Sequence, residues 1–160
     1  MRRVFFRRRR EGVTDYKARK NLLMSGKPRL VIRKTNKYII AQIIKSEAAQ
    51  DSVVVGVNSK DLSEFGLKGS FKNTPSAYLT GLLLGKKAIE TGIKEAILDL
   101  GLQRSTKGSR LYAVLKGCID AGILIAYSKE ILPSEDRISG KHINEKKVDE
   151  FEKARQKILG

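Results

Sequence analysis

Two stretches of the sequence resemble places where an enzyme would do chemistry, and neither carries the full pattern. Residues 81–87 look like a phosphate-binding loop, but they place only three residues between the glycines, lack the final hydroxyl and fall inside a predicted helix. Small residues for close helix packing explain those glycines better. Asp99 follows a short buried strand, where a two-metal nuclease would need further acids to converge. Asp51, Asp61 and Asp120 are too scattered along the chain to predict such a site, so a loop-bracing role for Asp99 is the simpler interpretation.

Sulfur and imidazole groups are also scarce. The chain has one cysteine, Cys118, and one histidine, His142. Cys118 lies on an apolar helical stripe and is interpreted as core, and a single cysteine excludes an internal disulfide or a multi-cysteine metal site. His142 has no identifiable nucleophile to activate, and one histidine is too few for a zinc centre of the usual kind. We therefore predict no catalytic residue, no metal, no cofactor and no small-molecule substrate.

Cationic side chains offer a different chemistry, the binding of phosphate. The chain holds 33 Lys and Arg against 17 Asp and Glu, a formal net charge of +16. Residues 1–47 carry +12 of that excess and the remaining residues only +4. So large an imbalance destabilises a compact state by self-repulsion unless a polyanion neutralises it. The composition therefore predicts a nucleic-acid partner bound mainly by the first third of the chain.

Aromatic residues lie among these cations. Phe5 and Phe6 precede the run Arg7-Arg8-Arg9-Arg10, and Tyr16 and Tyr38 follow it. Rings in such a setting are able to stack on unpaired bases. For Tyr38, packing within the sheet is an equally good interpretation.

A second basic site occupies residues 104–110, at the start of a predicted helix. It combines Arg104, Lys107 and Arg110 with backbone N–H groups that favour an anion at a helix N-terminus. A solvated loop is the alternative interpretation of this stretch.

The periodicity predicts how these residues are positioned. We expect an extended basic arm over residues 1–12, followed by a short helix to residue 24 or 25 that Thr14 or Asp15 caps. The predicted strands are 29–34, 37–45, 52–57 and 96–100, with a tight turn at Thr35-Asn36, and 123–127 is either a strand or a packed loop. The predicted longer helices are 74–91, 110–121 and 144–159.

These elements predict an α/β fold with a mixed sheet. We divide the chain into residues 1–26, the basic RNA-binding arm and short helix, and residues 27–160, one α/β domain with a C-terminal helix. No run reaches the ~18 apolar residues of a membrane span, and the start lacks the apolar centre of a signal peptide. We therefore expect a cytoplasmic protein with no membrane partner.

Six stretches then carry a family resemblance, in order and over nearly the whole chain. They are RRRREGVTDY at 7–16, SGKPRLV at 25–31, NKYIIAQ at 36–42, AYLTGLL at 77–83, TKGSR at 106–110 and LPSEDRISGKHI at 132–143. Together they resemble the archaeal branch of the universal large-subunit ribosomal protein that binds 5S rRNA, the L-18 family, whose eukaryotic counterpart is L-5. The last stretch is telling because the shorter bacterial members end before it. The Phe5-Phe6 start of the arm departs from the family pattern.

The resemblance implies a three-layer core with a ribonuclease-H-like topology and no nuclease activity. It also implies a structural role in which the protein binds 5S rRNA and helps to attach it to the large subunit, at the central protuberance. Large-subunit (23S) rRNA and neighbouring ribosomal proteins would be further partners. A general nucleic-acid-compacting architectural protein is the alternative from the residues alone, and it would prefer to bend duplex DNA.

Carried onto this sequence, the resemblance implies a set of RNA-facing residues. The set is Arg2, Arg3, Arg7, Arg8, Arg9, Arg10, Tyr16, Arg19, Lys27, Arg29, Arg33, Lys34, Asn36, Lys37 and Tyr38, with further contacts at Arg104, Lys107, Arg110 and Arg137.

Overall fold

A mixed sheet forms the centre of the fold in the computed structural model, which describes residues 4–47, 50–67, 69–143 and 145–160. Its strands are β1 (Arg29–Lys34), β2 (Ile39–Glu47), β3 (Gln50–Asn58) and β4 (Ile97–Asp99). The order is β3-β2-β1-β4. β2 pairs antiparallel with both β1 and β3, whereas β4 pairs parallel with β1. The predicted α/β class and mixed sheet are therefore confirmed.

The two faces of the sheet follow from the alternation along β1 and β2. Leu30 and Ile32 of β1 are fully buried, as are Ile39 and Ile43 of β2, and all four belong to one apolar core. Because successive side chains of a strand point to opposite faces, the odd-numbered residues of β1 lie on the second face. That face carries Arg29 and Arg33, which places charged groups where the sheet meets the basic N-terminal segment.

Helices cover both faces and make three layers. Their bounds are α1 (Arg7–Arg10), α2 (Tyr16–Met24), α3 (Thr74–Glu90), α4 (Arg110–Asp120), α5 (Glu135–Ser139) and α6 (Glu145–Leu159). α3 and α4 pack on the apolar face of the sheet, and α6 packs on the outside of α3. α2 lies over the second face, across a cavity that residues of β1 also line. None of the described helices is both long and apolar enough to cross a membrane.

α2 and α3 begin at the residues that the sequence marks. The Asp15 carboxylate accepts hydrogen bonds from the N–H groups of Lys17 and Ala18, and the Asn73 side chain accepts one from Ser76. Each acceptor satisfies a backbone donor that lacks a partner within its helix. Both predicted N-termini are correct to within one residue.

Glycines allow α3 and α4 to touch along their backbones. A Cβ on Gly81 would lie 2.1 Å from the Val114 carbonyl oxygen, and one on Gly117 would lie 2.2 Å from that of Tyr78. Close helix packing, rather than phosphate binding, is therefore the role of Gly81. Cys118 lies in the same interface, where it is fully buried and burial raises the pKa of its thiol to about 12.

We expect Gly81→Ala to destabilise the fold by ~1–3 kcal/mol, because the added methyl group has to push the α4 backbone away. Urea unfolding followed by circular dichroism measures the loss. Gly56→Ala is the matched control, since its Cβ would meet only side-chain atoms, of Gln42 at 3.5 Å and of Val53 at 3.8 Å, both ordinary contact distances. Equal stability of the two variants would contradict the close approach.

Two local expectations differ from the structure, and one alternative left open by the sequence is decided. Arg7–Arg10 form one helical turn instead of extended chain, because Arg7 pairs with Glu11 one turn later at 3.5 Å and arginine is a good helix former. For residues 123–127, predicted as either a strand or a packed loop, the structure shows the loop, with an isolated bridge between Leu124 and Glu95. α5 occupies a predicted loop. Its signals were present in the sequence, since Ser134 precedes two acids and Gly140 ends the turn with a left-handed φ of 86°.

Candidate nucleic-acid interface

The basic run of the N-terminal segment is fully solvent-exposed. All four side chains of α1 are exposed, and none of α1 is buried. Arg8 donates from Nε to the Thr14 hydroxyl at 2.8 Å, which ties α1 to the chain just before α2. The Arg9 guanidinium lies 4.3 Å from the centre of the Phe5 ring. Arg2 and Arg3, which were predicted to contact RNA, lie outside the described residues.

Two aromatic side chains pair beside these arginines. The rings of Phe6 and Tyr16 are 5.2 Å apart at an angle of 39°, and 72% of Phe6 is exposed. They line an open cavity of about 850 Å³ together with Arg8 and Lys20. An unpaired base could stack on the exposed ring while the cations contact its phosphate. Sequence reasoning placed both rings among cations but did not predict that they would pair.

Arg29 lies inside the protein and not on its surface. The side chain is 3% exposed, and Nη1 donates to an Asp99 carboxylate oxygen at 2.8 Å. Nη2 donates to Asp51 at 2.8 Å and to the Ser46 hydroxyl at 3.0 Å. The prediction that Arg29 faces RNA does not agree with this position, because two carboxylates enclose its guanidinium.

The arginines around this centre extend it toward the surface. Arg33 donates from Nη2 to the second Asp99 oxygen at 3.0 Å, and from Nη1 to the Asp99 carbonyl oxygen at 2.8 Å. Arg19 of α2 donates to the second Asp51 oxygen at 2.8 Å. Arg19, Arg29, Arg33, Asp51 and Asp99 are called the arginine–aspartate cluster below. The cluster joins α2, β1, β3 and β4, and so it holds the basic helix on the sheet.

The electrostatics of the cluster favour the ionised form of Asp51. Burial alone would raise the pKa of Asp51, but hydrogen bonds from Ser46, Arg19 and Arg29 outweigh it and lower the pKa to about 2. Asp99 also accepts from the Gly101 N–H at 2.9 Å, which confirms its loop-bracing role. The Arg29 guanidinium therefore lies between the Asp51 and Asp99 carboxylates. In a two-metal nuclease, metal ions would occupy the space between the carboxylates. Among the described residues, no three His, Cys, Asp or Glu side chains are grouped so as to hold a metal ion.

Other predicted cations remain at the surface. Lys27 donates from Nζ to the Glu95 carboxylate at 2.7 Å. Both side chains are exposed, so water screens this ion pair strongly. Arg10, Lys34 and Lys37 are exposed and take part in no ion pair within the described ranges. Lys17 and Lys20 of α2 are also exposed and form no ion pair within the described residues, although the predicted set of RNA-facing residues did not include them. Their signal was their position on the polar side of a short helix.

Two hydrogen bonds stabilise the turn between β1 and β2, one within the turn and one from the segment before α3. The Thr35 hydroxyl accepts from the Tyr38 N–H at 2.9 Å, and Lys72 donates from Nζ to the Asn36 carbonyl oxygen at 2.9 Å. Tyr38 packs against Phe71, with ring centres 6.3 Å apart, and is partly buried. Packing is therefore the role that the structure gives Tyr38, although its partner precedes α3 and does not lie across the strands.

A groove links the N-terminal segment to the sheet edge. It has a volume of about 520 Å³ and is lined by Arg8, Arg19, Arg33 and Lys34. Two of the acids on its wall are already occupied, since Asp15 caps α2 and Asp99 belongs to the arginine–aspartate cluster. Arg8 and Lys34 remain as cations of the wall that form no ion pair within the described residues, beside apolar side chains such as those of Leu22 and Leu102.

The four further RNA contacts predicted at Arg104, Lys107, Arg110 and Arg137 fall into two groups. Arg110 and Arg137 line one cavity between the starts of α3 and α4. Arg104 and Lys107 do not line that cavity but lie on the exposed loop before α4, where Lys107 pairs with Glu130 at 3.3 Å. The structure therefore brings together two of the four residues predicted here.

An exposed surface of cations and aromatic rings, on a scaffold whose clustered carboxylates are occupied by arginine, is typical of a structural nucleic-acid-binding protein. The family model described as "Ribosomal large subunit proteins 60S L5, and 50S L18" matches residues 2–95 and 90–128. The chain belongs to this family of large-subunit ribosomal proteins.

Two relatives agree with that assignment. The large ribosomal subunit protein uL18 of Caldivirga maquilingensis is 51% identical over 148 residues, which are 92% of this chain and 72% of the relative. The uL18 protein of Methanospirillum hungatei is 51% identical over 142 residues, which are 89% of this chain and 81% of the relative. The family resemblance and the structural, non-enzymatic role predicted from the sequence are thereby confirmed. The protein is a component of the large subunit of the cytoplasmic ribosome, and its partners are ribosomal RNA and ribosomal proteins.

Proposed function

We propose that this protein binds 5S rRNA and attaches it to the large ribosomal subunit at the central protuberance. The observation that carries the proposal is the continuity of the basic surface. Arg8 and Arg19 line both the groove on the sheet edge and the cavity beside the Phe6–Tyr16 pair. One folded RNA is thus able to contact α1, α2 and the end of β1 together.

Two kinds of contact give this surface its affinity. Exposed arginines neutralise backbone phosphates and release counterions, which makes binding strongly salt-dependent. The Phe6–Tyr16 pair offers a stacking surface for a base that is not paired, a feature of folded RNA and not of a continuous duplex. This second contact favours RNA over the alternative of a DNA-compacting protein.

The contacts we assign follow exposure. Exposed residues take the direct contacts: Arg7, Arg8, Arg9, Arg10, Lys27, Lys34, Asn36 and Lys37. The partly buried Tyr16 contributes through its pairing with the exposed Phe6 ring. The arginine–aspartate cluster acts indirectly, by holding α2 against β1. We also keep residues 1–26 as the RNA-binding unit and residues 27–160 as the α/β domain that carries it.

The test compares purified full-length protein on three ligands across a salt series: 5S rRNA, an unrelated structured RNA of the same length, and duplex DNA as competitor. We expect tighter binding to 5S rRNA at every salt concentration and no displacement by excess duplex. Equal affinity for the two RNAs would refute the 5S assignment. Displacement by duplex would favour the architectural alternative.

A further inference from the structure

A cavity of about 430 Å³ lies where α3 and α4 begin, apart from the groove beneath α2. Four cationic side chains line it: Lys34, Lys72, Arg110 and Arg137. No Asp or Glu within the described ranges lines it. A cavity with this composition concentrates positive potential and favours an anion.

The start of α4 lacks the acceptor that its donors require. Ser109 occupies the N-cap position with extended backbone, yet its hydroxyl makes no capping hydrogen bond. The Ser109 Oγ is buried and has no hydrogen-bond partner in the part of the chain that the structure describes. The N–H groups of Arg110 and Leu111 belong to the first turn, whose donors have no partner within the helix. Ser109, Arg110 and Leu111 all line the cavity, so the start of α4 brings to its wall a hydroxyl and first-turn donors that have no acceptor within the described residues.

The cations around the cavity are oriented without being neutralised. Arg110 donates from Nη1 to the Lys72 carbonyl oxygen at 2.9 Å, and Lys72 donates from Nζ to the Asn36 carbonyl oxygen. Both acceptors are uncharged, so each side chain keeps its full positive charge. Arg137 and Lys34 are exposed and form no ion pair within the described residues.

A phosphodiester group matches these donors. Its two free oxygens are able to accept from the Ser109 hydroxyl and the Leu111 N–H while a guanidinium contacts them side by side. Lys34 lines both this cavity and the groove beneath α2. An RNA strand that follows the groove therefore reaches the cavity without leaving the protein surface.

We propose that the cavity between the starts of α3 and α4 binds a single backbone phosphate of ribosomal RNA, with Ser109, Arg110, Leu111 and Arg137 as its contacts. The proposal rests on the proposed function in one respect, namely that the anion belongs to ribosomal RNA. It adds an anchoring point that is separate from the basic N-terminal segment.

Inorganic phosphate tests the site without RNA. We expect the backbone amide resonances of Arg110 and Leu111 to shift saturably when phosphate is titrated into the full-length protein at constant ionic strength. Ser109→Ala and Arg137→Gln should each weaken that binding about tenfold, the effect of losing one charge-assisted hydrogen bond. Lys129→Gln is the control, because it removes one positive charge from an exposed side chain that does not line the cavity, and it should leave the titration unchanged. Shifts that do not saturate, or an equal effect of Lys129→Gln, would overturn the proposal.

RNA then identifies the source of the phosphate. Arg137→Gln should lower the salt slope by about 1 for 5S rRNA or for large-subunit rRNA, and the ligand affected shows which of them supplies the phosphate. Unchanged slopes for both RNAs would make the cavity an ion site only and overturn the proposal. Failure of the proposed function is distinguishable, because it abolishes the preference for 5S rRNA while leaving the phosphate titration intact.

Discussion

Replacing each residue of Arg7–Arg10 with glutamine is expected to lower the affinity for 5S rRNA by roughly 100-fold or more at low salt, and to flatten the salt dependence. Four phosphate contacts contribute about 3 to the slope of log affinity against log salt concentration. The four side chains are exposed, and only Arg7 forms an ion pair within the described residues, so their charge is available to the RNA. Filter binding across a salt series measures both quantities.

The control variant removes the same number of positive charges from a different part of the surface. Lys60, Lys87, Lys94 and Lys129 are exposed and lie away from the groove and cavities described above. Changing these four lysines to glutamine removes four charges but should alter affinity and slope far less. The thermal melting of both variants should match that of the parent, because none of these side chains is buried. Similar affinity losses in the two variants would show that net charge, and not the position of α1, governs binding.

Local signals determined the elements that were predicted correctly. Asn73 and Pro75 marked the start of α3, and the strands predicted at 29–34 and 37–45 correspond to β1 and β2. The basic segment was also visible from sequence, because like charges packed so densely along the chain do not form a core. These features depend on residues a few positions apart.

The arginine–aspartate cluster could not be predicted in the same way. Arg29 and Asp99 are 70 residues apart, and they meet only because β4 pairs parallel with β1 in a register that sets Asp99 beside Val31. An arginine on a strand of a basic protein looks like an RNA contact until that pairing is known. The same limit hid the cavity between α3 and α4, since its cations come from four separate segments of the chain. The ribonuclease-H-like topology stays a prediction.

Arg29→Met is expected to destabilise the fold by ~3–5 kcal/mol at pH 7, because it leaves the Asp51 and Asp99 carboxylates without the buried cation that they share. Urea unfolding gives the free energy. Arg33→Met is the matched control: it removes a partner of the same Asp99 carboxylate, but the Arg33 side chain is 40% exposed. We expect the control to lose about 1 kcal/mol or less, since water screens an exposed pair. Equal losses would mean that burial does not set the strength of these contacts.

The pH dependence separates lost charge pairing from lost packing. In the parent, hydrogen bonds outweigh burial and depress the pKa of Asp51 to about 2. A depressed pKa in the folded state contributes stability above the unfolded value near 4, and that stability is lost as the pH falls toward 2. Arg29→Met removes one of the groups that lower the pKa of Asp51, so this carboxylate protonates at higher pH in the variant and the deficit relative to the parent should shrink between pH 7 and pH 3. A deficit of the same size at both pH values would assign it to the missing side-chain volume, because packing does not titrate.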